Sequence, residues 1–438
     1  MSRSTCALSA PKWILILFCG ILSACSSSSK APSLTLSDGV YWSSHYQSYL
    51  VVDDPVVTHY QWTPNNCWAA NAGLLPRVFS SAQNPGQHTW VGAGERTLVL
   101  QRLSDGLPVI FTREPFLPSH CLQSPKQSAA QVITTLSEVL SQFQHGLSQS
   151  AMVRWRYEAE LLDKAEQLES LDKKLALFQL VSEVLEDSGD EHAFVLANDI
   201  QRYQRVSDFE VGESQRKRSR QNLLSELRQS RLSHGCNEAL WWGLLSTGEY
   251  YLGVQRLHLY SEDAAYSEAG QRCLQRALRT IESDLKLTAQ STGEKPKLLI
   301  DLRFNEGGSL LLASQLANSL VSRDEPLTTI RGQAVYEQRP PYLEALHQRG
   351  TVLVTEVTAS AAEHLAQALR LRGFLLRGQN TRGAFAPTTV KSLPNGWVVG
   401  LSMYAPAEVV DGRGTELPEG VGLTPDETLA VEILFPAK

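Results

Sequence analysis

The sequence predicts an α/β + β protein, with a small N-terminal antiparallel β domain, a helical segment and then an α/β core. Three observations carry this. Residues 36–122 hold short β-branched and aromatic runs cut by Pro, Asn, Asp and Gly turns. Residues 123–235 repeat apolar side chains at three and four amid dense Glu, Lys, Arg and Gln. From 236 to 438, short apolar runs alternate with amphipathic stretches, the pattern of a largely parallel sheet covered by helices.

At 438 residues, 42% hydrophobic and 20% charged, the chain can bury more than one core. A formal charge of −6 gives no reason to expect a nucleic-acid partner. The basic run Arg216-Lys217-Arg218-Ser219-Arg220 sits in a charged helical stretch and reads as a solvated helix face.

Residues 1–24 have a signal-peptide layout: Arg3 and Lys12, then an apolar stretch from Trp13, then small residues. Cys25, directly after Leu22-Ser23-Ala24, resembles the lipidated cysteine of a bacterial lipobox, with ordinary secretory cleavage as the alternative. Residues 25–35 then form a lipidated polar tether. Ser26 is not the aspartate that resembles an inner-membrane retention signal. The expected address is the periplasmic face of a bacterial membrane, the outer membrane by preference. Cys67, Cys121, Cys236 and Cys273 remain, an even number that allows three disulfide connectivities. Pairs Cys67–Cys121 and Cys236–Cys273 are favoured because each closes within one region. None has metal-ligand spacing, so no metal and no cofactor are expected.

In the β region, strands are expected at Val40–Trp42, Tyr49–Val52, Val56–Tyr60 and Thr97–Leu100. Turns are expected at 53–55, 64–66 and 92–94. The aromatics Trp42, Trp62 and Trp68 read as strand-face or core residues. In the helical region, Leu136, Val139, Leu140 and Phe143 open the periodic pattern. A turn, Gly189-Asp190-Glu191-His192, interrupts it. The core brings a strand at Tyr250–Leu257, a helix carrying Cys273 to Ile281, and strands at Thr351–Thr355, Leu375–Leu376, Trp397–Leu401 and Val409–Val410.

The stretch Lys297-Leu298-Leu299-Ile300-Asp301-Leu302-Arg303-Phe304-Asn305-Glu306-Gly307-Gly308 organises the core. It reads as a buried strand, a polar turn ending in two glycines, and a helix from Leu310. Such a junction leaves backbone N–H groups able to face an anion. The plain alternative is a turn that needs glycine only for positive φ.

Asp301-Leu302-Arg303-Phe304-Asn305-Glu306-Gly307-Gly308 resembles the D-L-R-x-N-x-G-G signature of the serine peptidases that include C-terminal processing (tail-specific) proteases and the tricorn core. Two more segments resemble that family in order. Gly189-Asp190-Glu191-His192 is similar to the D-x-H motif that supplies the catalytic histidine in tricorn-like members. Thr358-Ala359-Ser360-Ala361-Ala362-Glu363 is similar to the segment whose serine opens a helix as nucleophile. By itself, Ser360 with Glu363 is also a capping box, and a lone histidine after a turn is more often a cap.

The resemblance implies a ClpP/crotonase-like peptidase core at 236–438, a helical region at 123–235 carrying His192, and a lipoprotein form without a recognisable PDZ domain. Tail-specific proteases place a lysine base in a later turn, but here that turn is Thr381-Arg382-Gly383-Ala384, with alanine at the lysine position. Lys391 is out of register, and His364 shares the helix of Ser360. The tricorn arrangement is therefore implied: Ser360 as nucleophile, His192 as base, and Glu419, in the segment Glu419-Gly420-Val421-Gly422-Leu423-Thr424-Pro425-Asp426, as its orienting carboxylate. Amides of Gly307 or Gly308 with that of Ala361 would bind the oxyanion. Asp301 and Arg303 are expected to pair and hold the turn. The implied protein is a lipid-anchored serine peptidase acting on peptides or protein tails. Two alternatives stand beside it, a catalytically inactive binding protein and a non-peptidase serine hydrolase such as an esterase.

Overall fold

Two-residue alternation builds the first layer. The computed structural model describes residues 37–434 apart from 54–55, 75–77, 80–87, 94–95, 103, 124–125, 144–146, 166, 206–208, 210, 259, 261–267, 322–324 and 336–340. Cys25 and the leader lie outside the described residues. The first strands are β1 (Gly39–Ser43), β2 (Ser48–Asp53), β3 (Val56–Trp62), β4 (Cys67–Leu74), β5 (Val78–Phe79), β6 (His88–Ala93), β7 (Thr97–Arg102) and β8 (Pro108–Glu114). They form one sheet in the order β4-β3-β2-β1-β8-β7-β6-β5. Tyr41, Leu50, Val52, Val57, Leu98, Leu100, Val109 and Phe111 make its core. At the expected turn 92–94 the chain is still strand at Gly92 and Ala93, with a bulge between Trp90 and Gly92, and Gly94 lies outside the described residues; glycine fits a bulge as readily as a turn.

The next segment holds α1 (Ala129–Phe143), α2 (Gln149–Lys164), α3 (Ser170–Asp187), β9 (Phe194–Ala197), β10 (Arg202–Arg205) and α4 (Glu213–Gln229). Strands β9 and β10 form a hairpin that the helical periodicity around it conceals. The core follows with β11 (Ser233–Gly235), β12 (Leu240–Leu244), β13 (Tyr250–Val254), α5 (Glu268–Thr292), β14 (Lys297–Asp301), α6 (Leu310–Val321), β15 (Thr328–Ile330), β16 (Gln333–Val335), β17 (Gln348–Val354), α7 (Ala361–Leu371), β18 (Leu375–Gly378), β19 (Thr388–Ser392), β20 (Val398–Ser402), β21 (Val409–Asp411), β22 (Glu427–Thr428) and α8 (Val431–Leu434).

The main sheet runs β11-β12-β13-β14-β17-β18-β22 and is parallel from β13 onward. Its strands and α5–α7 share one apolar core. The two later apolar runs at 397–401 and 409–410 do form strands, but in other sheets. β20 joins β10-β9-β20-β19, and β21 joins β16-β15-β21. A second core packs α1–α3 against β9 and β20. Trp397 anchors it, donating its indole N–H to Asp199 at 2.7 Å and meeting Phe178 edge-on at 5.9 Å between ring centroids. Truncating such a tryptophan costs about 3–5 kcal/mol.

The structure contains both disulfides, Cys67–Cys121 and Cys236–Cys273. The N-terminal sheet docks on the core. The Ser104 carbonyl accepts from Ser309 Oγ at 2.9 Å and from the Leu311 amide at 3.3 Å, and Leu107 enters the main core. Among the described residues no helix is long and apolar enough to cross a membrane.

Candidate active site

Ser360 sits at the junction between the end of β17 and the start of α7. Its backbone has φ +55° and ψ −127°, a sparsely populated conformation for an L-residue that typically costs about 1–3 kcal/mol. Glu363 supports it from one side. That buried carboxylate accepts from the Ser360 amide (2.9 Å), the Gly383 amide (2.7 Å), the Ala384 amide (2.9 Å) and the Thr381 hydroxyl. Ser360 and Glu363 form the capping box expected from the sequence, and the Glu363 amide also meets the Ser360 carbonyl at 2.8 Å.

The Gly-Gly turn closes on the same spot. Asp301 and Arg303 do pair, with two guanidinium contacts of 2.8 and 3.0 Å, and Tyr251 adds a hydroxyl at 3.0 Å. Asn305 then fixes the turn to its surroundings, donating to the Val254 carbonyl (2.9 Å) and accepting the Ala359 amide on its own carbonyl (3.1 Å). A Cβ on Gly307 would lie 2.6 Å from the Ala359 oxygen and 2.8 Å from Ser360 Cβ; one on Gly308 would lie 2.4 Å from the Leu257 oxygen. Both glycines have positive φ, +95° and +134°. Gly307 is corrected as an oxyanion donor: its N–H is spent on Asn305 Oδ1 at 2.9 Å. Among the described residues the amides of Gly308 and Ala361 have no hydrogen-bond acceptor.

His192 comes from the turn after α3. The Asp190 carboxylate folds over that turn and accepts the His192 amide at 2.9 Å. Strands β9 and β20 are antiparallel, with Phe194 opposite Gly400. Two residues further along that register, Ser402 stands opposite His192. Its Oγ lies 3.2 Å from His192 Nδ1 and donates to Asp190 Oδ1 at 2.7 Å, while its amide donates to Asp190 Oδ2 at 2.7 Å. Asp190, His192 and Ser402 are 5%, 6% and 6% exposed. Among the described residues the buried His192 Nε2 has no hydrogen-bond partner. Burial, then the charges of Arg205, Arg382 and His364, lower the imidazole pKa to about 3.

Sequence reading missed Ser402, which carries no local signal. It saw Asp190 but gave it no role.

Glu419 is bonded to another turn beside the cleft. Its Oε2 accepts the amides of Phe385 (2.8 Å) and Ala386 (3.0 Å), holding the chain after the Thr381–Ala384 turn. Burial, with Glu363 and Asp190 adding to it, raises its pKa to about 8 against those two amides. It makes no hydrogen bond to His192. Of the two rival bases, His364 points Nε2 at the Phe385 carbonyl (2.9 Å), and Lys391 donates to the Tyr46 carbonyl. Arg382 is buried, stands 4.3 Å from the Phe209 ring centroid, and among the described residues has no hydrogen-bond partner on its guanidinium.

Ser360, His192, Gly307 and Gly308 line one cleft of about 500 Å³. Phe194, Tyr203 and Leu310 give it apolar wall, and Arg205, paired with Glu306 at 2.8 Å, gives it charge. Tyr46, Arg102, Ser104 and Asp105 bring the N-terminal sheet to its edge. Gly400 leaves room for the Phe194 ring, since a Cβ there would lie 1.9 Å from it.

No curated protein matches the chain. Among solved structures, a protein of Parabacteroides merdae described as a candidate peptidase is 17% identical, covering 70% of this chain and 91% of its own, with a TM-score of 0.47. The photosystem II D1 C-terminal processing protease is 15% identical over 70% of this chain and 94% of its own, TM-score 0.40. The tricorn protease is 12% identical over 87% of this chain and 43% of its own, TM-score 0.33. Residues 265–429 match the model of peptidase family S41, a span that includes Gly307, Gly308, Ser360, Ala361, Ser402 and Glu419 but not His192. The Gly-Gly turn and the strained serine it closes on both lie within the stretch of this chain that is similar to peptidase family S41.

Proposed function

We propose that the protein is a serine peptidase in which Ser360 attacks and His192 serves as its base. The observation that carries this is the convergence of Ser360, His192 and the Gly-Gly turn on one cleft. A hydroxyl is a weak nucleophile until a neighbouring base takes its proton. Among the described residues His192 Nε2 has no hydrogen-bond partner, which leaves its lone pair to accept a proton. As Ser360 Oγ bonds to the peptide carbonyl carbon, the proton passes to Nε2 and the carbonyl electron pair moves onto oxygen. The amides of Gly308 and Ala361 receive that oxyanion, and losing one such donor costs about 3 kcal/mol of barrier. His192 then returns the proton to the leaving amine, and water repeats the sequence on the acyl-enzyme.

Peptides or protein tails are the substrate class that the similarity of residues 265–429 to peptidase family S41 favours. Cys25 is the proposed lipid anchor, and two disulfides favour an oxidising compartment such as the periplasm. The test is active-site labelling by a fluorophosphonate on the full chain. The wild type is expected to label, and Ser360→Ala and His192→Ala are expected to lose labelling by at least about 10³-fold. Equal labelling of the wild type and Ser360→Ala would sink the reading.

A further inference from the structure

We propose that Asp190, acting through the Ser402 hydroxyl, positions His192 for proton abstraction, the role that sequence reading gave to Glu419. The inference rests on His192 being the base of Ser360. It follows from counting protons. A serine hydroxyl has one hydrogen to donate, and Ser402 spends it on Asp190 Oδ1 at 2.7 Å. Toward His192, 3.2 Å away, Ser402 Oγ can then only accept. The hydrogen of the neutral imidazole must therefore sit on Nδ1, which leaves Nε2 bare. That is the tautomer a base needs, and the partner of one ring nitrogen decides the state of the other.

The carboxylate is itself locked. It takes the amides of His192 (2.9 Å) and Ser402 (2.7 Å) besides the hydroxyl. All three side chains are buried, so water cannot replace the arrangement. In the step itself the Ser360 proton moves to Nε2, the Nδ1 proton stays, and the Ser402 proton remains toward Asp190. The positive ring is stabilised by a chain of aligned dipoles ending in a negative charge. Glu419, bonded to two amides of another turn, makes no such contact.

The experiment compares Ser402→Ala and Ser402→Thr with the wild type, on the full chain, by fluorophosphonate inactivation and by 15N spectra of labelled histidine. The His192 resonances are those missing in His192→Ala. Wild-type His192 is expected to carry its proton on Nδ1. Ser402→Ala is expected to lower the maximal inactivation rate by roughly 10²–10⁴-fold with little change in reagent affinity, and Ser402→Thr to recover most of it. A proton on Nε2 of the unmutated protein overturns the proposal without any mutant. Wild-type inactivation of Ser402→Ala, with His192→Ala inert, also overturns it while leaving the peptidase reading intact. Full labelling of His192→Ala removes the peptidase reading first.

Discussion

For a single residue, burial decides what a base can do. An exposed imidazole is half protonated near pH 6.5. Burial, reinforced by Arg205, Arg382 and His364, holds His192 neutral down to about pH 3. Folding therefore releases a proton that the unfolded chain binds between about pH 3 and 6.5, and stability falls as pH drops through that window. The consequence for rate is the opposite of an ordinary histidine enzyme. Fluorophosphonate labelling, normalised to folded protein, is expected to change by less than about twofold between pH 8 and 5, because the proposed base keeps its lone pair. An ordinary histidine would lose more than about tenfold over the same interval. A midpoint near 6.5 in the labelling profile would show that the ring is solvated in the working enzyme.

Among the elements, the Gly-Gly turn and the start of α7 behave as one unit, because their backbones touch. Gly307→Ala would bring a Cβ to 2.6 Å from the Ala359 oxygen and 2.8 Å from Ser360 Cβ, at a φ of +95°. It is expected to destabilise the fold by about 1–3 kcal/mol and to abolish labelling by displacing Ser360. Gly414→Ala supplies the contrast: its φ is +81°, yet nothing lies within 4 Å. It is expected to cost only about 1 kcal/mol and to label normally. Chemical denaturation and labelling of the two variants check both halves. This unit was legible in the sequence because a short apolar run, a polar turn and paired glycines are all local signals. Strands β14 and β17 and helix α7 were legible for the same reason. The hairpin β9–β10 was not, since two four-residue strands leave little periodicity and their sheet is completed by β20, two hundred residues on. The same distance hid Ser402. A motif located Glu419 in the chain, but only the register of β9 against β20 reveals that the His192 ring meets Ser402, which in turn bonds Asp190.

Across the whole molecule, one buried cation joins the three regions. Lys391, on β19, donates to the Tyr46 carbonyl of the N-terminal sheet and lies 4.8 Å from the Phe143 ring centroid of α1. Burial lowers its pKa to about 7 from the ordinary 10.5, and its charge in turn depresses the nearby His59, chiefly held down by burial. Between pH 7 and 10.5 the unfolded chain holds a proton on this amine that the folded chain has released. Stability attributable to Lys391 therefore rises with pH across that window, and below pH 7 the deficit is complete. Lys391→Met keeps the volume and removes the charge. Loss of the bond to the Tyr46 carbonyl costs about 1 kcal/mol, whereas removing the desolvated ammonium returns on the order of 3 kcal/mol at neutral pH. The variant is expected to melt higher than the wild type at pH 7, and level with it or slightly lower at pH 10. The difference between the two melting curves isolates this group, because His59, whose pKa its charge affects, is held neutral across that window, chiefly by burial. A variant that melts lower at pH 7 would mean the amine stays protonated and the contact with Tyr46 is a net strut between sheet and core.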